Sequence, residues 1–164
     1  MLKKIFDSQK LLISTIIIAA FITRIPVIHF FGDTRLENEW LILLNNLTNH
    51  GKFSFRNFDN FYIPNLYMPP LYAYFLYIFK LINLSNENYI NLILYLQAIL
   101  ASISLVPFYF ICKKFFSNNL SLLLTSLFCF FPSYLYSCSQ ISSISLYVFL
   151  LTIFIYFFLK ISSK

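Results

Sequence analysis

Charged side chains are scarce in this sequence. Asp, Glu, Lys and Arg together make up only 11% of its 164 residues, whereas 59% of the residues are hydrophobic. The mean hydropathy is +0.73. A soluble globular protein needs a largely polar surface, so this composition excludes that class and indicates a membrane protein. The sequence also lacks an internal repeat and any stretch with the composition of a soluble domain.

Metal-binding side chains are few as well. Cys112, Cys129 and Cys138 lie in or at the edge of apolar segments and lack the spacing of a metal site. We expect them to be buried as small hydrophobic side chains. His29 and His50 have no paired ligand nearby. The sequence therefore does not support a metal site and predicts no resident cofactor, and it leaves dependence on a divalent ion open.

A cleavable signal peptide is also missing. Lys3, Lys4 and Lys10 form a basic start. The hydrophobic stretch of residues 11–31 is nevertheless too long for a signal core, and no small-x-small cleavage motif precedes the acidic residues that follow. We therefore predict that this stretch is a retained membrane helix.

Four apolar stretches are long enough to span a bilayer. The first contains one charge, Arg24, and the other three contain none. A helix of 21 residues extends about 31 Å, which matches the hydrocarbon core. The predicted fold is therefore an all-α, polytopic membrane protein that forms a single domain. The predicted spans are residues 11–31, 89–111, 119–136 and 141–159.

A fifth apolar stretch, residues 67–79, is shorter. Only about 12 apolar residues follow Pro69 and Pro70, a length typical of interfacial or re-entrant segments. Pro70 fits the first turn of a helix, because no backbone hydrogen bond is lost there. Two interpretations are open: a membrane crossing, or an interfacial helix over about residues 69–82.

The lysines favour the interfacial helix. If the amino-terminal lysines lie in the cytoplasm, residues 32–88 form an outer segment. With the short helix at the interface, the lysines at 113–114 and 160–164 also face the cytoplasm, whereas a crossing would place them outside. We predict a multi-pass protein of the inner (cell) membrane with a cytoplasmic amino terminus. Because topology explains the net charge of +6, we expect membrane lipid as a partner and no nucleic acid.

A second helix is predicted in the outer segment, over residues 38–49. His50 and Gly51 end it, and residues 52–66 lack helical periodicity, so we predict a loop there. The apolar residues of the helix fall near one face: Trp40, Leu41, Leu43, Leu44 and Leu47.

Three of the six carboxylates lie within residues 33–40, directly after the first span. They belong to Asp33, Glu37 and Glu39. One interpretation is a solvated loop whose acids have no chemical role. The other is that one acid acts as a general base and another supports it. On a helix, Glu37 and Glu39 would point about 200° apart, so they cannot share one task.

Three cations are candidates for binding an anion. Arg24, about two turns before the end of the first span, either extends to the outer interface or lines a polar cavity. In either case it could pair with a loop acid or a lipid phosphate. Lys52 and Arg56 either contact a lipid phosphate at the outer surface or are solvated.

Taken in order, these features resemble a known family. In the order of four features, the sequence resembles the amino-terminal part of the GT-C glycosyltransferases. These features are a first span containing Arg24, an acidic cluster at residues 33–40, an amphipathic helix closed by Gly51, and Pro-Pro-Leu-Tyr at residues 69–72. The similarity is to the bacterial protein-mannosyltransferase-like and aminoarabinose-transferase-like enzymes. The ordered set, rather than any one motif, carries the resemblance.

The later segments agree with this order. Residues 110–116 resemble the short basic turn after the second true span of the family. Residues 131–132, followed by 137–140, resemble the outer end of the next span. The resemblance extends from about Leu11 to Lys160, and it also favours the interfacial placement of the proline-led helix.

The resemblance implies a reaction. A sugar carried on a polyprenyl phosphate is transferred to a lipid, glycan or protein acceptor on the outer face, and an acid in the first outer loop acts as base. By its distance from Gly51, the acid of the family falls best on Glu37, with Asp33 the second choice and Glu39 the third. The cations that could bind the polyprenyl-phosphate donor are Arg24, Lys52 and Arg56.

The sequence also departs from the family. GT-C enzymes have more spans and usually a carboxy-terminal soluble domain, whereas this sequence ends five residues after its fourth predicted span. We therefore expect a truncated gene product, a fragment or one piece of a split enzyme, with the missing carboxy-terminal part as a partner. The 164 residues are expected to be too few for activity alone. The alternative is a small, non-catalytic four-span protein, either a scaffold or a transporter subunit. Because only Arg24 interrupts a span, the sequence disfavours transport and leaves a scaffold open.

Overall fold

The computed structural model describes residues 2–36, 38–58, 61–64 and 68–162, and the side chains of residues 11–36, 39–54, 63–64 and 68–162. Helices dominate, which confirms the helical class, and a single two-stranded hairpin is added to them. The elements in chain order are α1 (Leu2–Phe31), α2 (Asn38–His50), β1 (Ser54–Phe58), β2 (Phe61–Pro64), α3 (Pro70–Lys80), α4 (Asn86–Ile103), α5 (Leu105–Phe115), α6 (Asn118–Cys129), α7 (Pro132–Ser137) and α8 (Ile144–Ser162).

Within the described residues, three helical stretches are long and apolar enough to cross a membrane. They are Leu11–Phe31, Asn86–Phe115 and Ile144–Ser162. The predicted third span, residues 119–136, is not one continuous helix. α6 ends at Cys129 after 12 residues, or about 18 Å, and α7 begins at Pro132. Because proline has no amide hydrogen, it cannot continue the hydrogen-bond pattern of a helix, and the break between α6 and α7 falls just before Pro132.

Another proline explains the boundary between α4 and α5. Pro107 cannot donate to the carbonyl of Ile103, and its ring crowds that carbonyl, so the helix is interrupted at Ser104. The amide of Ser104 still bonds to the Leu100 carbonyl at 2.9 Å. Together, α4 and α5 therefore form one apolar stretch of 30 residues, Asn86–Phe115.

The chain divides into two compact units. We call Met1–Gly32 with Leu94–Lys164 the helical unit, and Asp33–Ile93 the connecting unit. In the helical unit, Ala20 of α1, Leu105 of α5 and Cys129 of α6 meet in one buried cluster.

Side-chain amides close the end of α1 within the helical unit. Gln140 Nε2 donates to the Phe31 carbonyl at 2.7 Å, and Gln97 Nε2 donates to the Gln140 carbonyl at 2.8 Å. These bonds satisfy a carbonyl at the helix terminus that has no partner within the helix. They also fix the chain between α7 and α8 against the end of α1.

In the connecting unit, α2 packs its apolar face against α3. Leu43, Met68 and Ala73 form a buried cluster bordered by Trp40 and Phe53. The predicted face is correct for the leucines at 43, 44 and 47, which are buried, and wrong for the leucine at 41, which is exposed. With 3.6 residues per turn, position 41 falls at the edge of that face and outside the contact.

Backbone signals set the limits of α2 and α3. Gly51 has φ +62°, a left-handed conformation that glycine adopts without strain, and its amide bonds to the Leu47 carbonyl at 3.1 Å. Pro70 occupies the first position of α3, as predicted. The position of this helix at a membrane interface stays a prediction.

The loop predicted for residues 52–66 is wrong in part, because β1 and β2 pair there as an antiparallel hairpin. Phe, Tyr and Ile in this stretch favour strands. Ser54 anchors the pairing: its hydroxyl donates to the Ile63 carbonyl at 2.6 Å, and Asn46 Nδ2 donates to the Ser54 carbonyl at 2.9 Å. The Asn46 side chain therefore attaches the hairpin to α2 by a hydrogen bond that has no periodic sequence signal.

Candidate functional site

Arg24 is fully buried on α1, about two turns before that helix ends. Its Nη1 donates to the Ala20 carbonyl at 2.7 Å and lies 4.0 Å from the Cys129 sulfur. Its Cζ lies 5.4 Å from the centre of the Tyr134 ring. The side chain therefore points into the helical unit, which excludes the interpretation that it extends to the interface.

Two donors of this guanidinium group have no acceptor among the described residues. They are Nε and Nη2 of Arg24, which are buried and make no hydrogen bond within that part of the chain. The helical unit includes one acid in its sequence, Asp7, which lies seventeen residues earlier on α1, or about 25 Å along the helix. A buried cation is strongly unfavourable without a counter-charge. The arrangement therefore suits an anion that does not belong to this unit.

The Tyr134 ring lies against the guanidinium group, and its hydroxyl is hydrogen-bonded elsewhere. The Tyr134 hydroxyl lies 2.9 Å from the Ser104 hydroxyl, which donates to the Ala101 carbonyl at 2.7 Å. Tyr134 presents its ring to Arg24, and aromatic faces attract cations. The Tyr134 ring therefore stabilises positive charge without neutralising it.

The sequence alone did not single out Ser104, Cys129 or Tyr134. The three cysteines are free and buried, as predicted, but the contact between Cys129 and Arg24 brings together residues 105 positions apart. Tyr134 follows the break at Pro132, and Ser104 lies at the break before α5. Interrupted helices inside an apolar region were the signal that could have drawn attention to these residues.

The predicted acids belong to the connecting unit. Asp33 is half-buried, and Glu39 is half-buried in the first turn of α2, where a carboxylate is favoured by the helix dipole. Glu37, the preferred base, lies outside the described residues. The structure therefore locates two of the three candidate acids.

Asp33 lies near the phenol of Tyr72 on α3. Burial, the neighbouring Tyr89 and the Asp33 carboxylate, in that order, raise the pKa of Tyr72 far above its ordinary value. The Tyr72 ring also packs edge-to-face on Trp40, with centroids 5.0 Å apart. Tyr72 thus remains a protonated hydroxyl donor near a candidate base.

Lys52 and Arg56, two of the predicted cations, belong to the connecting unit. The side chain of Lys52 is exposed, after the end of α2. Arg56 lies on β1, opposite Ile63, and its side chain is outside the described part of the chain. The structure therefore adds geometric detail only for the third predicted cation, Arg24.

Among the described residues, no group of three or more His, Cys, Asp or Glu side chains could hold a metal ion. Comparisons with known proteins add no identification. No model of a protein family matches the chain, and neither a curated protein nor a solved structure matches it.

Proposed function

We propose that this protein is a membrane glycosyltransferase of the GT-C type that uses a polyprenyl-phosphate sugar as donor. The observation that carries the proposal is the buried guanidinium group of Arg24, which has two donors without acceptors. An ionisable side chain inside an apolar helix is unfavourable unless it serves a ligand or a partner. A phosphate diester in the membrane supplies the charge and the acceptor oxygens that this group lacks.

The reaction divides into a proton transfer and a displacement. An acceptor hydroxyl or amine attacks the anomeric carbon of the sugar and loses its proton to a carboxylate of the connecting unit. The bond from that carbon to the phosphate oxygen breaks, and polyprenyl phosphate leaves with the bonding electron pair. Glu37 is the preferred base, followed by Asp33 and Glu39. Arg24 is the residue of the helical unit that we assign to the phosphate of the donor.

The order of elements supports the proposal. A span with a buried arginine is followed by the amphipathic α2 closed by Gly51, and then by α3 opening at Pro70. The proposal includes four membrane crossings, with α6 and α7 together making the third. It also includes an inner-membrane location, a cytoplasmic amino terminus and an interfacial α3.

The acids provide the test. Native membranes that contain the chain together with its carboxy-terminal partner are incubated with a panel of radiolabelled polyprenyl-phosphate sugars and membrane acceptors, and release of polyprenyl phosphate is measured by thin-layer chromatography. We expect Glu37→Gln to lower the release rate about 10²–10⁴-fold, because a positioned base contributes that much. Asp33→Asn and Glu39→Gln, assayed in parallel, are expected to have smaller effects.

Glu87→Gln is the matched control, since it removes one exposed carboxylate from the first turn of α4. Its release rate should equal that of the unmodified chain. A larger loss with Asp33→Asn than with Glu37→Gln would move the base to Asp33. No release from any donor in the panel would contradict the proposal and favour a non-catalytic membrane protein.

A further inference from the structure

The carboxy-terminal ends of α5 and α8 border an open cavity of about 180 Å³ within the helical unit. A hydrogen bond of 2.6 Å from Lys114 Nζ to the Leu159 carbonyl shows that both helices end on the same side of this unit, which we call the basic end. Two lysines, one tyrosine and three apolar residues line the cavity: Phe110, Ile111, Lys114, Tyr156, Leu159 and Lys160.

Aromatic rings hold the ammonium groups near the cavity. Lys160 Nζ lies 5.9 Å from the centre of the Tyr156 ring, and Lys113 Nζ lies 6.0 Å from that of Tyr109. Contacts with aromatic faces and with a backbone carbonyl orient a cation without cancelling its charge. These contacts therefore restrict the positions of the ammonium groups.

The balance of charge at the basic end favours an anion. Residues 94–164 contain no Asp or Glu, and Asp7 is the one acid in the sequence of the helical unit. Each helix terminus contributes about half a negative charge, so the ends of α5 and α8 together offset roughly one lysine. The cavity is lined by two lysines, Lys114 and Lys160, and by no acid, which suits a negatively charged ligand.

The apolar wall indicates which anion. Beyond the cavity, α8 exposes large apolar side chains such as Leu151, Phe154 and Phe158, which can contact acyl chains. The cavity volume of about 180 Å³ is about the volume that six water molecules occupy in liquid water. A phosphate with its glycerol linkage fits in that volume. We propose that this cavity binds the phosphate of an anionic phospholipid. Basic pockets between membrane helices bind such headgroups, and a soluble phosphate would gain nothing from the apolar wall.

The test counts lipids retained by the purified chain in native mass spectrometry, with phosphatidylglycerol and phosphatidylcholine as the probes. We expect retention of phosphatidylglycerol over phosphatidylcholine. The double variant Lys114→Gln/Lys160→Gln should bind phosphatidylglycerol roughly 25-fold more weakly, since each lysine near a membrane surface changes anionic-lipid affinity about fivefold. A second variant, Ile111→Trp, keeps both lysines and fills the cavity, and it should also lose the lipid.

Lys3→Gln/Lys4→Gln is the matched control, because it removes the same charge from the start of α1. This variant should retain phosphatidylglycerol. An equal loss in the control would overturn the site in favour of diffuse charge attraction. Retention by Ile111→Trp would show that the cavity is not used. Displacement of the lipid by millimolar glycerol phosphate would assign the site to a soluble phosphate instead.

Discussion

At the scale of single residues, we expect Arg24 to lower the stability of the folded protein and to serve its function instead. Its contacts are a carbonyl, a sulfur and an aromatic face, and two of its donors have no acceptor. Each buried donor without a partner costs about 1–3 kcal/mol. Replacement of buried charges by well-packed apolar groups is often neutral or stabilising by about 1–4 kcal/mol. The arginine therefore has no evident role in holding the helices together.

We expect Arg24→Met to raise the apparent melting temperature in detergent while it abolishes donor turnover. Methionine fills a similar volume without polar donors, and a gain of about 2 kcal/mol corresponds to roughly 4–8 °C for a chain of this size. Differential scanning fluorimetry measures the shift. Arg24→Ala should instead lower the melting temperature, because it leaves a cavity.

Arg35→Met is the control for this prediction, since Arg35 is exposed and surface substitutions change stability by about 0.5 kcal/mol or less. If Arg24→Met lowered the melting temperature as much as Arg24→Ala, the guanidinium group would have acceptors in the folded protein. In that case its role would be structural.

At the scale of elements, the end of α2 depends on one backbone conformation. Gly51 is left-handed at φ +62°, and a Cβ there would meet nothing within 4 Å. We therefore expect Gly51→Ala to lower the stability of this turn only because alanine disfavours the left-handed conformation, by about 1–2 kcal/mol. We expect the amide of Lys52, which bonds to the Asn46 carbonyl at 3.3 Å, to exchange about 5–30-fold faster with deuterium.

Gly51→Asn separates conformation from side-chain size in this experiment. Asparagine tolerates the left-handed region better than alanine, so its exchange rate should lie between those of glycine and alanine. Equal protection in the alanine variant would mean that the hairpin, through Asn46 and Ser54, holds this turn without the help of glycine.

The elements that the sequence predicts well have local causes. Apolar length predicts the long helices, Gly51 predicts the end of α2, and Pro70 predicts the start of α3. The hairpin was missed because the Ser54 hydroxyl bonds across strands and has no periodic signature. The burial of Arg24 was left open because residues from distant helices cover it.

At the scale of the whole molecule, the return path of the chain decides the number of membrane crossings. The contact between Lys114 and Leu159 places the ends of α5 and α8 on one side of the helical unit, so the chain between them must return to the other side. α6 extends about 18 Å and α7 about 9 Å, which together approach the hydrocarbon thickness of about 30 Å. A crossing made of two short helices is therefore long enough.

Cysteine labelling in intact cells tests this crossing. Asn118 opens α6 and Ser133 lies in α7, and both are exposed. With the lysines in the cytoplasm, a membrane-impermeant maleimide should label Ser133→Cys in intact cells and label Asn118→Cys only after permeabilisation. The unmodified chain is the background control, because its three cysteines are buried. Labelling of both variants from one side would mean that α6 and α7 do not cross, and the protein would then have three spans.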